Sequence, residues 1–104
     1  MVTMTTMDNQ QTLEQLALSV GEKLLVKGCS LVTAESCTGG WVAQCLTSVA
    51  GSSEWFDCGF VTYSNASKQQ MLGVPEAVLI AQGAVSEAVA ARMAEGALKH
   101  SAAD

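Results

Sequence analysis

Leu31-Val32-Thr33-Ala34-Glu35-Ser36-Cys37-Thr38-Gly39-Gly40-Trp41 is the stretch whose reading decides the fold. Leu31 to Ala34 is a short apolar and β-branched run that suits a buried strand. Glu35 to Gly40 interrupts it with turn residues, and Trp41 to Val49 then returns to helix-compatible spacing. A strand, a glycine turn and a helix are the opening of a βαβ unit, which packs helices onto a parallel sheet.

Working outward, Leu13, Leu16, Val20 and Leu24 recur at three- and four-residue steps and predict a helix over Gln11–Lys27. Gly28 is its natural stop. Residues 1–10 are polar, rich in Met and Thr and without period, and are expected to form a disordered tail. On the other side, Ala50-Gly51-Ser52-Ser53 reads as a loop and Cys58–Tyr63 as a second strand. Ser64 and Asn65 supply N-caps for a short helix from Ala66 to Leu72, which Gly73 ends. Pro75 opens a further helical turn, Gln82-Gly83 breaks it, and Ser86 caps a last helix. Val89, Met93 and Ala97 lie four apart on the buried face of that helix. The pattern is α/β. Two strands are too few for a sheet with helices on both faces. Residues 11–104 therefore read as an α/β domain incomplete at its C-terminal end.

The 104 residues suffice for one small domain. Hydrophobic residues make up 49% and charged residues 14%, with a mean hydropathy of +0.28, which excludes a disordered chain. Ten acids against five bases give a net charge of −5, so no basic stripe exists for nucleic acid or anionic lipid. The longest uncharged run, Ser36 to Ser53, is broken by glycines and polar residues and is unfit to span a bilayer. Nothing before Lys23 is basic, so no secretory leader is expected, and the four cysteines read as reduced thiols of a cytoplasmic protein. Cys29, Cys37, Cys45 and Cys58 form no CxxC pair, and His100 is the only histidine, so no metal is expected.

Two places carry chemistry. Ser36 sits where a sharp strand-to-helix turn would present a nucleophile, beside N–H groups suited to a phosphate or an oxyanion. Tyr63-Ser64-Asn65-Ala66-Ser67-Lys68 follows the second strand. If both strands run the same way, Ser36 and Lys68 meet, and a desolvated lysine can act as base for a serine. Tyr63 would then relay the proton or orient the pair. A lone His100 makes a Ser–His–Asp triad improbable. On the residues alone, a simple N-cap at Ser36 or Thr38 is slightly favoured, and a solvated lysine is the commonest fate of Lys68.

Thr33–Gly40 (TAESCTGG), Ala50–Phe56 (AGSSEWF), Gly59–Lys68 (GFVTYSNASK), Leu72–Val74 (LGV) and Gly83–Leu98 follow, in order, the pattern of the CinA C-terminal-domain family, which this chain resembles over residues 11–101. The resemblance implies a three-layer α/β/α sandwich on a mostly parallel mixed sheet, of which the C-terminal third is lacking. Members include bacterial nicotinamide-nucleotide amidases, which convert nicotinamide mononucleotide to nicotinate mononucleotide and ammonia in pyridine-nucleotide salvage. By the same resemblance Ser36 matches the nucleophile, Tyr63 and Lys68 the groups that activate it, and Thr38, Gly39 and Gly40 the turn beside it. Glu35, Thr38, Gly39 and Gly40 are expected to contact the substrate, and no cofactor is implied. An open sheet edge predicts self-association, with a dimer expected. Two alternatives remain: an inactive interaction or assembly module, and a thiol enzyme using Cys37.

Overall fold

Two strands, β1 (Leu31–Glu35) and β2 (Phe56–Val61), lie side by side and parallel in the computed structural model, which describes residues 2–104 with side chains from Gln11 onward. Among the described residues five α-helices flank them: α1 (Val2–Lys27), α2 (Trp41–Thr47), α3 (Asn65–Leu72), α4 (Glu76–Gln82) and α5 (Glu87–Lys99). α1 begins at Val2 and not at the expected Gln11, so the backbone of residues 2–10, expected to form a disordered tail, is helical, and residue 1 lies outside the described residues. α2 is the crossover between the strands and packs on one face of the sheet, with α1 against it. α5 covers β1 from the other face, and α3 and α4 pack on α5. The α/β layering is that expected of the sequence.

Local chemistry sets the element ends. Ser64 Oγ accepts from Ser67 N–H at 3.0 Å and starts α3, while Gly73, at φ 67°, ends it. Ser86 Oγ accepts from Val89 N–H at 3.2 Å and starts α5. β2 begins two residues earlier than its composition suggests, and the reason is the ladder itself. Leu31 N–H donates to Trp55 O at 2.8 Å, and Thr62 N–H donates to Glu35 O at 2.9 Å as the last rung. Once β1 has ended at Glu35, Tyr63 has nothing to pair with and turns away.

The side chains of β1 alternate between the two layers. Val32 and Ala34, with Phe60 of β2, pack on a core of Leu72, Val74, Leu79, Val89, Met93 and Ala97. The face of α5 read from the sequence is buried: Val89 is 0% exposed and Ala97 1%. α1 differs from its sequence reading. Leu16 and Val20 are exposed, and Ala17 and Gly21 are buried in their place. The indole of Trp55, itself buried, fills the space over Gly21, so any Cβ there would meet it at 2.5 Å. A large ring thus selects small partners on the helix.

The tightest approach is between α5 and α3, where a Cβ at Gly96 would collide with the Leu72 carbonyl. Backbone cannot swing aside as a side chain can. Gly96→Ala should therefore destabilise the chain by about 3 kcal/mol, the upper part of the overpacking range, and lower its melting temperature by more than about 10 °C. A thermal melt of the variant unchanged from the parent would show that the two helices are not held this closely.

Candidate active site

Because β1 and β2 run in parallel, their C-terminal ends emerge on the same edge, and Ser36 and Tyr63 stand there together. Ser36 follows the last residue of β1, and Lys68 lies on the first turn of α3, which Ser64 caps. That turn aims the Lys68 side chain back beneath the strand ends. Its Nζ donates to Ser36 Oγ at 3.1 Å and to the Tyr63 main-chain carbonyl at 3.0 Å. Lys68 is only 1% exposed. A lysine so deeply buried is uncommon, and both of its recorded partners here are neutral oxygens.

Tyr63 contributes differently from the reading of its side chain. Its carbonyl holds Lys68, while its ring is 75% exposed at the rim of the cavity. The cavity measures about 510 Å³, and Ser36, Cys37, Thr38 and Lys68 line it. Val85 and Met93, which the sequence reading did not assign to a site, form part of its apolar wall. Met93 belongs to the buried stripe of α5, so its spacing marked it for the core and gave no sign of the cavity. Cys37 is exposed and lines the same cavity.

Glu35 closes the turn from below. Its Oε1 accepts from Thr38 Oγ1 at 2.7 Å and from Val42 N–H at 2.8 Å, and its Oε2 accepts from Ala43 N–H at 2.9 Å. Burial alone would raise the Glu35 carboxyl, but the N–H groups of Ala43 and Val42, the Thr38 hydroxyl and the Gly40 N–H outweigh it and hold the group below its ordinary value. Gly39 and Gly40, at φ 62° and 104°, give the backbone the left-handed turn that lets Glu35 reach the start of α2. The N–H groups of Val42 and Ala43 are thus committed to Glu35. Gly39 N–H bonds Ser36 O and Trp41 N–H bonds Thr38 O, so the turn donors left near Ser36 are those of Cys37 and Thr38. Among the described residues, no three of His, Cys, Asp and Glu lie together as a metal site would need, and no helix is long and apolar enough to cross a membrane.

A strand-end serine on a buried lysine, under a glycine turn, is accompanied by a match of residues 13–104 to the model of the CinA C-terminal domain. The chain belongs to the CinA C-terminal-domain family. It is 58% identical over 92 residues to the nicotinamide-nucleotide amidohydrolase PncC of Escherichia coli, a match covering 88% of this chain and 56% of that protein. The crystal structure of competence/damage inducible protein CihA from Agrobacterium tumefaciens superposes with a TM-score of 0.84 at 48% identity, over 88% of this chain and 55% of that one. A CinA-superfamily crystal structure from Escherichia coli gives a TM-score of 0.87 at 38% identity, over 88% and 54%. The chain thus spans little more than half the length of these relatives. Their CinA-superfamily fold is shared by its helices and small parallel sheet.

The Glu35 network has a pH signature. A carboxyl held low in the folded state adds stability that is fully present above its unfolded value, about 4.5, and is lost as pH falls through the folded value. Glu35→Gln should cost on the order of 2 kcal/mol at neutral pH and should flatten the fall in stability below about pH 5. Urea melts of both proteins between acid and neutral pH check this; parallel curves would mean that the network carries no charge-dependent stability.

Proposed function

We propose that this chain is the Ser36-bearing part of a nicotinamide-nucleotide amidohydrolase, with nicotinamide mononucleotide as substrate and a role in pyridine-nucleotide salvage. The observation that carries the reading is the 3.1 Å bond between Lys68 Nζ and Ser36 Oγ at the floor of the cavity. The likeness to PncC supports the choice of substrate.

In this mechanism Lys68 Nζ takes the Ser36 proton as Oγ bonds to the carboxamide carbon. The N–H groups of Cys37 and Thr38 stabilise the oxyanion that forms. The C–N bond then breaks, the Lys68 ammonium returns its proton to the departing nitrogen, and ammonia leaves. Lys68 next deprotonates a water that attacks the acyl carbon, and as the C–Oγ bond breaks Lys68 returns that proton to Ser36 Oγ, which frees the nicotinate nucleotide and the serine. Tyr63 orients the base through its carbonyl. Glu35 serves as a positioning residue that holds Thr38, Gly39 and Gly40 against the substrate. The reaction needs no cofactor or metal. The reading includes a cytoplasmic location, and Leu16, Val20 and Trp41, all exposed and lining one groove between α1 and α2, offer an apolar surface for a homodimer.

A second reading, an inactive assembly module, is favoured by the two-stranded sheet, whose β1 edge lies open. Incubation with nicotinamide mononucleotide separates the two. Release of ammonia and nicotinate mononucleotide supports the amidase, and none from a folded full-length form carrying these residues overturns it in favour of the module.

Two substitutions test the roles. Ser36→Ala and Lys68→Arg should each lower turnover by at least about a thousandfold while the melting temperature changes little for Ser36→Ala, because arginine stays charged and cannot act as base. Near-normal turnover in Lys68→Arg would reduce Lys68 to an electrostatic anchor. Tyr63→Phe keeps the carbonyl and should keep turnover within about threefold, whereas a hydroxyl relay would lose about a hundredfold or more.

A further inference from the structure

The cavity over Ser36 has no cation to spare. Of the chain's five basic residues, Lys68 alone lines it, and its Nζ is already bonded to Ser36 Oγ and the Tyr63 carbonyl. Glu35 lines it too, its carboxylate held by the N–H groups of Val42 and Ala43. The rest of the wall is largely apolar, with Ala34, Val42, Ala84, Val85 and Met93. An acyl group that carries a negative charge would lose water here and gain no partner among the described residues. An uncharged flat ring gives up only apolar hydration, and about 510 Å³ is ample for one. Tyr63 and Val85, 75% and 91% exposed, stand at the rim and leave the outer side open to a leaving group.

The groups that act on a carbonyl carbon, Ser36, Lys68 and the N–H groups of Cys37 and Thr38, all lie in this one region of chain. An amide asks one thing more of them, a proton for the departing nitrogen. An aryl ester does not, because a phenol leaves as its anion. Resting on the Ser36–Lys68 chemistry set out above, we propose that this chain is also an esterase for aryl esters of uncharged aromatic carboxylic acids, and that its cavity rejects acyl groups bearing a carboxylate. Ser36 Oγ bonds to the ester carbon, the C–O bond to the phenol breaks, and the phenolate leaves with the electron pair. The serine proton passes to Lys68 and from there to water. A second water then adds to the acyl carbon as the C–Oγ bond breaks. Lys68 carries that water's proton to Oγ, and the free carboxylic acid departs.

The 104-residue protein is mixed with three p-nitrophenyl esters: the nicotinate, the benzoate and the 4-carboxybenzoate, the last two differing only in one carboxylate. Each rate of nitrophenolate release is divided by that ester's rate with hydroxide. The nicotinate and benzoate should then agree within about tenfold, and the 4-carboxybenzoate should be at least about tenfold slower. Ser36→Ala should lower release at least about a hundredfold, and acyl groups trapped by acid should map to Ser36 in fragment mass spectra. Val85→Arg, at an exposed position, should speed the 4-carboxybenzoate relative to the benzoate by about tenfold, whereas Val85→Gln should not. Equal relative rates for the matched pair in the parent chain overturn the charge selection, as does an unchanged ratio in Val85→Arg. Release that survives Ser36→Ala, or an acyl group on Cys37 or Lys68, overturns the esterase. Ammonia from nicotinamide mononucleotide without ester cleavage overturns it too and leaves the amidase standing, whereas ester cleavage without ammonia leaves the esterase standing alone.

Discussion

The parallel pairing of β1 with β2 is the constraint on which the rest depends. Its last rung, Thr62 N–H to Glu35 O, fixes where both strands stop. Had the strands been antiparallel, Ser36 and Tyr63 would lie at opposite ends of the sheet. With the strands parallel, they emerge together and α3 can start at once, so Lys68, a few residues on, reaches Ser36. The distance between serine and lysine in sequence is bridged entirely by this pairing.

Beneath the site lies a second constraint, the ionised and buried Glu35. A buried carboxylate is tolerated only where donors surround it, and here the start of α2 provides them. The arrangement fixes the angle at which the turn leaves β1, and hence the direction of the Ser36 side chain. It also withdraws from ligands the donors at the head of α2. What remains for a developing negative charge is closer to Ser36, in the turn itself. Rigidity of the nucleophile and availability of helix donors are thus in competition, and the structure favours rigidity.

Small residues decide how the layers meet. Gly96 lets α5 approach the Leu72 carbonyl, and Gly21 lets α1 lie against Trp55. The first contact seats α5 against α3, and Met93 of α5 reaches both the core and the cavity wall. The same helix then leaves a second apolar stripe beside an unpaired strand edge.

Much of this was legible in the sequence, because its signals are local. Glycines and N-cap serines mark helix ends through the conformations they alone favour, and the period of Val89, Met93 and Ala97 marks a buried face. The Ser36 turn was visible as a strand broken by glycines, and Lys68 as the basic residue after the second strand. Other features depend on partners distant in the chain. Leu16 and Val20 fit the apolar period of α1 better than Ala17 and Gly21, yet the ring of Trp55 reverses that choice. Glu35 reads as one more turn residue until α2 folds back over it. Tyr63 reads as a hydroxyl, and only the end of the ladder turns its carbonyl to Lys68. Local conformational preference and periodicity are written residue by residue, so the sequence by itself determined the elements and the candidates. Direction of strand pairing, and which atom of a residue meets which partner, are set by packing between distant segments, and those only the tertiary structure decided.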